Sequence, residues 1–278
     1  MRKNNMALTS TARMIRRASV ALGVTTVVLL AGCDKLSSEP VYSGVSVEGM
    51  NYMPYNLDRF VVTDKFGNTA SGGGDLMPGA GAGSLSCCYK LKGTEFTVDW
   101  TAYDPEAARQ QIRKHQKITK VKKSAQVHLP ATTISGEAGD VVLALHFYPD
   151  DHVEVEFRND MQGSRIDYAE VYGWLDENYR KVAFPADFDD AQEFHLTARI
   201  AAQAWQKYRL TSVKDMQQYV YYALVVNPNF DESPQVQKVL AATKGQPDAF
   251  GDAMQNLPPD VVSEIKHFHP DQKAASHD

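Results

Sequence analysis

Val141-Val142-Leu143-Ala144-Leu145-His146-Phe147 is a nearly unbroken apolar run, and it passes through Tyr148-Pro149-Asp150-Asp151 into His152-Val153-Glu154-Val155-Glu156-Phe157-Arg158. The first segment suits a central strand covered on both faces, since a strand buried on both sides loses its polar alternation. Pro149 and the two aspartates read as a hairpin turn. In the second segment Val153, Val155 and Phe157 fall on one face with polar residues between them, the period of a half-buried partner strand. Working upstream, Phe96, Val98 and Trp100 alternate with Thr97, Asp99 and Thr101, and Val45, Val47 and Gly49 alternate with Ser46 and Glu48. Leu57 to Thr63 is a further apolar segment that ends in the turn-forming cluster Asp64-Lys65-Phe66-Gly67-Asn68. Val127 and Leu129 continue the pattern. Six or seven short strands between about residues 42 and 159 predict a sandwich or small open barrel. One charged insert, Pro105 to His115, breaks the series; Asp104 is placed to cap it and Pro105 fits its first turn.

Downstream of about residue 160 the period changes. Phe188, Ala191, Phe194, Ala198, Ala201, Ala202 and Trp205 recur every three or four residues, the apolar stripe of one long helix. Ser212-Val213-Lys214-Asp215 resembles a capping box ahead of Met216, Tyr219, Val220, Ala223 and Leu224. Ser233-Pro234 opens another helix that Gly245 closes, and Pro258-Pro259-Asp260 opens a last one through Val261, Val262 and Ile265. Stripes of this kind are ordinarily core. The predicted fold is therefore α+β: an N-terminal β-rich sandwich or open barrel over residues 42–159, then a small all-α domain over 160–278.

The first 33 residues follow a different logic. Met1 to Arg17 carries Arg2, Lys3, Arg13, Arg16 and Arg17 and no acid, and Ala18 to Leu30 is apolar apart from Ser19, Thr25 and Thr26. Such a run is short of the roughly 20 residues that a spanning helix needs, and its charged front and small-residue end are those of an export signal. Leu30-Ala31-Gly32-Cys33 resembles a lipobox, which implies cleavage after Gly32 and acylation of Cys33 as the new N-terminal residue, palmitate being one such chain. Several acyl chains on one residue give stable anchoring, which one chain alone does not. Asp34 resembles the signal that retains lipoproteins in the inner membrane, so the expected location is its periplasmic face, with the outer membrane as the alternative. Residues 34–41 then form a short tether. The leader holds five of the 29 Lys and Arg residues and none of the 34 acids, leaving a net charge of −10 on the remainder with His neutral. That disfavours nucleic acid as a partner, because phosphate recognition needs a basic face.

Two features interrupt the β pattern. Between Gly67 and Cys88 lie Gly72, Gly73, Gly74, Gly79, Gly81 and Gly83, with Asp75 and, just beyond, Tyr89. No Walker or dinucleotide fingerprint accompanies these glycines, so the readings are a mobile loop between strands or a loop that moulds itself to a protein partner. Cys87 and Cys88 are adjacent. A vicinal disulfide, one buried and one free thiol, and a metal pair are all open, since adjacent Cα atoms lie below the usual disulfide separation. No catalytic constellation stands out in the sequence. There is no Gly-x-Ser-x-Gly elbow. Asp187, Asp189 and Asp190 lie where acids meet a helix dipole favourably. His128, His146 and His152 lack a Cys or carboxylate at zinc-ligand spacing, and His267 and His269 diverge on a helix end. No enzyme, no cofactor and no metal are expected.

The lipobox, the glycine-rich segment, the Cys87-Cys88 pair and the aromatic strand Phe96-Thr97-Val98-Asp99-Trp100 together resemble the DUF3304-type lipoprotein family over roughly Val41 to Phe157, here with a C-terminal helical extension. Members of that family occur as immunity proteins encoded beside phospholipase effectors of type VI secretion, in the manner of a toxin and antitoxin. The insert Asp104 to Lys123 is longer and more basic than the family pattern implies. The Ser-Val-Lys-Asp-Met…Asn-Pro-Asn-Phe-Asp-Glu-Ser-Pro course is similar to a small helical module of type VI secretion gene neighbourhoods. The resemblance implies a membrane-anchored protein whose partner is a cognate phospholipase effector, met through Gly72, Gly73, Gly74, Asp75, Gly79, Gly81, Gly83 and Tyr89. An envelope assembly lipoprotein associated with a secretion machine is the alternative.

Overall fold

The computed structural model describes residues 39–81, 86–134, 137–159 and 164–270, so Cys33, Asp34 and Gly83 lie outside the described residues. The described residues from Pro40 onward form one compact unit. The described residues of its first half form eight strands in two four-stranded sheets: β1 (Val41–Asn51), β2 (Asn56–Asp64), β3 (Thr69–Leu76), β4 (Ser86–Lys92), β5 (Glu95–Tyr103), β6 (Val121–His128), β7 (Val142–Phe147) and β8 (Val153–Arg158). One sheet has the order β4-β1-β7-β8 and the other β3-β2-β5-β6. All pairings are antiparallel except β1 with β7, which run parallel from Ser46↔Val142 to Asn51↔Phe147. Helix α1 (Pro105–Arg113) follows β5.

The two sheets share one core. Val45, Val47, Leu143 and Leu145 from the first face Phe60, Val62, Phe96 and Val98 from the second. Phe147 closes it, its ring 5.3 Å from Phe60 and 5.6 Å from Trp100, within the range where aromatic pairs attract beyond simple burial. Every residue of β7 is buried, as an unbroken apolar run requires. Its outer face, with that of β1, is roofed by helices: Met50, Tyr52 and Tyr148 belong to the helical core and not to the sandwich core.

The second half is all helical: α2 (Tyr168–Ala183), α3 (Asp190–Tyr208), α4 (Val213–Tyr221), α5 (Pro234–Ala242), α6 (Ala249–Gln255) and α7 (Pro259–Lys266). The caps follow the sequence. Asp189 accepts from the Gln192 amide in a full capping box, Ser212 from the Asp215 amide and Ser233 from the Val236 amide. Asp104 caps α1 in the same way. Helix α4 runs on into a single π turn, Tyr222–Val226, and Asn227 ends it. The Asn227 amide side chain donates to the Ile265 and Phe268 carbonyls at 2.8 and 2.7 Å, satisfying orphan acceptors at the end of α7. No helix among the described residues is long and apolar enough to cross a membrane.

Two differences from the sequence reading concern the glycine segment and α2. Gly72, Gly73, Gly74 and Asp75 are not in a loop; they belong to β3, paired with β2 through Arg59↔Gly73 and Phe60↔Gly72. The physical reason is space. A Cβ at Gly72 would stand 2.5 Å from the Phe60 ring, so glycine is what lets the strand lie over it. Helix α2 begins a full helix ahead of the stripe starting at Phe188. Its buried Tyr168, Val171 and Leu175 are interspersed with half-buried Tyr172, Trp174 and Tyr179, which blurs the helical period.

A polar clasp joins the halves. The Tyr168 hydroxyl donates to the Tyr52 carbonyl at 2.9 Å, and the Arg165 amide donates to the Tyr52 hydroxyl at 2.7 Å. That hydroxyl in turn lies 3.0 Å from His146 Nδ1, whose ring reaches Glu156 Oε1 through Nε2 at 2.9 Å. The chain of partners sets the tautomer: Tyr52 donates to Nδ1, and Nε2–H donates to the carboxylate. Burial and the nearby Arg165 charge hold His146 below its ordinary value, so it is neutral at pH 7.

Candidate functional site

A cleft of about 750 Å³ opens where the β-rich half meets α3. Its floor is one end of the second sheet, where the register sets Asn56 of β2 opposite Tyr103 of β5, with β3 alongside carrying Asp75. Asn56 is buried and donates from Nδ2 to Asp75 Oδ1 at 3.0 Å, and the Tyr103 hydroxyl donates a short hydrogen bond to the same oxygen. Asp75 is exposed and takes a left-handed backbone conformation, φ 61°, a region only a few residue types adopt readily. Burial and the bond to Asp75 push the Tyr103 phenol up to about 12, so it stays a donor at neutral pH. The result is a carboxylate fixed by two side chains and turned toward open space.

One wall is α1 with Ile118; the other is α3 with Phe188 just before it. The walls are tied at Arg199, whose guanidinium reaches Glu106 Oε1 at 2.5 Å, while Arg109 reaches the same oxygen at 3.0 Å. His195, one helical turn before Arg199, donates through Nδ1 to the Pro78 carbonyl at 2.9 Å, leaving Nε2 as an acceptor. Met77 stands at the mouth and is 45% exposed, a large apolar side chain presented to solvent beside the carboxylate. Among the described residues the lining includes no Ser, Thr, Cys or Lys. Among the described residues no three His, Cys, Asp or Glu gather as metal ligands.

The residues singled out in the glycine segment and at Tyr89 separate. Asp75 reaches the cleft. Gly79, at φ 77°, seats the turn after β3 against α3, where a Cβ would stand 2.7 Å from that of Ala198. The same turn is pinned to β1, for the Gly79 amide donates to the Asn51 carbonyl at 2.8 Å and the Asn51 amide to the Ala80 carbonyl at 2.9 Å. Gly81 follows, and Gly72, Gly73 and Gly74 are in β3. Tyr89 lies elsewhere, on the β3–β4 side, donating to the Ser71 carbonyl at 3.0 Å. Cys87 and Cys88, both exposed, form a disulfide across a cis peptide bond. Of the three histidines considered for zinc, His128 pairs with Glu95 and His152 with Asp150, while His146 belongs to the clasp.

Asn56, Tyr103, His195 and Arg199 were not singled out as partner-binding residues in the sequence. The only available sign was the i, i+4 placement of His195 and Arg199 on one helix face. Residues 50–155 match the model of a family described as a protein of unknown function, DUF3304. The matched segment runs from the end of β1 into β8 and supplies Asn56, Asp75, Tyr103 and α1; His195 and Arg199 come from outside it. No curated protein and no solved structure matches the chain.

Proposed function

We propose that this protein is a lipid-anchored periplasmic immunity protein that binds and neutralises a phospholipase effector of type VI secretion, and that the cleft is where the effector docks. The observation that carries the docking site is the fixed Asp75 carboxylate beside exposed Met77 in the cleft. A preorganised charge next to an apolar anchor point is the pattern of a protein-binding hot spot, because little ordering is left to be done on association. The acidic body, the export leader and the resemblance over the β-rich half support the same reading. A basic side chain of the effector meets Asp75, an apolar neighbour packs on Met77, and the bound body covers the mouth of the lipase or blocks its approach to lipid. Anchoring through Cys33 raises the effective concentration at the surface where the toxin works.

The test is co-purification of residues 34–278, unlipidated, with the lipase encoded beside it, with phospholipase activity read on the complex. The expected result is a tight complex with suppressed activity, weakened at least about tenfold by Asp75→Lys or Met77→Glu. A complex indifferent to both variants would remove the cleft as the docking site. No complex, with the lipase fully active, would overturn immunity and favour an assembly role in the envelope.

A further inference from the structure

The basic insert after β5 has a second property that the effector reading does not use. Between Arg109 and Lys123 there are seven Lys or Arg residues and no acid, in a chain whose remainder beyond the leader is strongly acidic. The structure sorts these cations. Lys120 is paired with Asp58 at 2.7 Å and Lys123 with Asp151 at 2.5 Å, while Arg109 is engaged by Glu106. Arg113, Lys114, Lys117 and Lys122 are exposed and form no ion pair among the described residues. The segment carrying them is fixed in place. Gln111 donates from Nε2 to Thr119 Oγ1 at 2.9 Å and accepts from the Thr119 amide at 2.8 Å, while its carbonyl accepts from the Gln116 amide at 2.8 Å. Two of the most exposed large apolar side chains of the described residues stand in the same corner: Val121, 52% exposed, and Ile112, 57% exposed, where the corner adjoins the cleft.

We infer that this corner, formed by the end of α1, the loop after it and the start of β6, rests on an anionic phospholipid surface. Unpaired cations flanked by exposed aliphatic side chains meet both layers of a bilayer interface, charge to headgroup and aliphatic carbon to the acyl boundary. Nucleic acid offers no counterpart for Val121 and Ile112, and a long polyanion would be repelled by the rest of the body. The fold also provides a path back to the chain entry. Edge strand β6 runs from Val121 to His128, the Leu129 amide donates to the Thr94 carbonyl, and the Gly93 amide donates to the Pro40 carbonyl. A body lying along β6 therefore has the basic corner and the start of β1 at the same surface. This orientation needs the exported setting and is independent of any effector.

The experiment uses residues 34–278 without lipid, which contain the whole compact unit, and sedimentation with vesicles of phosphatidylglycerol mixed equally with phosphatidylcholine or of phosphatidylcholine alone. Binding is expected only to the anionic vesicles, falling as salt is raised. The triple variant Lys114→Glu/Lys117→Glu/Lys122→Glu is expected to bind at least about 30-fold more weakly with an unchanged melting curve. Val121→Ser is expected to weaken binding several-fold at every salt concentration. Equal partition onto both vesicle types by the unaltered body, or none onto either, overturns the inference without any variant. Tighter binding to duplex DNA than to anionic vesicles, lost in the triple variant, overturns it in favour of a nucleic-acid surface.

Discussion

The Asp64 carboxylate accepts four hydrogen bonds. Oδ1 takes the Phe66 and Asn68 amides at 2.8 and 2.9 Å; Oδ2 takes Asn68 Nδ2 and the Lys92 amide, both at 2.7 Å. One side chain thus closes the β2–β3 turn and ties it to the end of β4 on the other sheet. Burial alone would raise its pKa, but the bonds from Asn68, Lys92 and Phe66 outweigh burial and hold it below the usual carboxylate value. Asp64→Ala leaves three part-buried backbone amides without their acceptor and is expected to cost about 2 kcal/mol in urea unfolding, Asp64→Asn about half of that. Because the folded-state pKa is depressed, the carboxylate's contribution is complete above the unfolded value of about 4 and is lost as pH falls through the folded one. The gap between wild type and Asp64→Asn should therefore close on acidification toward about pH 2, and a constant gap would exclude this role for the charge. Asp75 differs in kind: its partners Asn56 and Tyr103 fix it while leaving it exposed to the cleft, whereas the bonds to Asp64 close a turn of the fold.

Helix α3 is the element on which the cleft depends. It supplies His195 and Arg199, and it is seated on the β-rich half by the turn after β3, where Gly79 approaches Ala198 and Phe194. Gly79→Ala combines left-handed backbone strain with a contact that Ala198 cannot relieve without moving the helix, an expected loss of about 2–4 kcal/mol. Thermal unfolding measures it, and a variant as stable as wild type would show that α3 does not rest on this turn. The apolar stripe through Phe194, Ala198, Ala201, Ala202 and Trp205 was legible because burial on one helix face is a local, periodic demand, while Asp189 was read only as one of three acids at the helix start and the structure makes it the cap. Strands β3 and β4 were not. Glycine contributes nothing to a hydrophobic alternation, so Gly72, Gly73 and Gly74 read as a loop, although their lack of a side chain is what lets β3 pack over Phe60.

At the scale of the whole molecule the two halves are held by the clasp of Tyr52, His146, Glu156, Arg165 and Tyr168. His146 is wholly buried and its pKa lies below the usual imidazole value; that of Glu156 is also depressed, burial being outweighed by bonds from Arg165 and His146. Both shifts have the same sign. Above pH 6.5 His146 is neutral in both folded and unfolded chains, and as pH falls the unfolded chain takes up the proton first, so stability declines. Glu156 adds to the decline below its unfolded value. His146→Gln should flatten the pH dependence of unfolding between about pH 6.5 and 5 by up to about 1.4 kcal/mol per pH unit. An unaltered slope would show that the clasp does not sense the proton.

By itself the sequence determined the division into a β-rich half and a helical half, the boundaries of the turns and caps, and the apolar faces of the main strands and the long helix. Each follows from residues within a few positions of one another, where hydropathy period, proline, glycine and capping side chains act directly on the backbone. Only the tertiary structure decided that Asn56, Asp75 and Tyr103 meet at one end of a sheet and face His195 and Arg199. These residues span about half the chain, and strand register together with the docking of α3 sets their distances. Neither leaves a local trace in the order of amino acids, because each is a compromise among side chains from elements far apart in sequence.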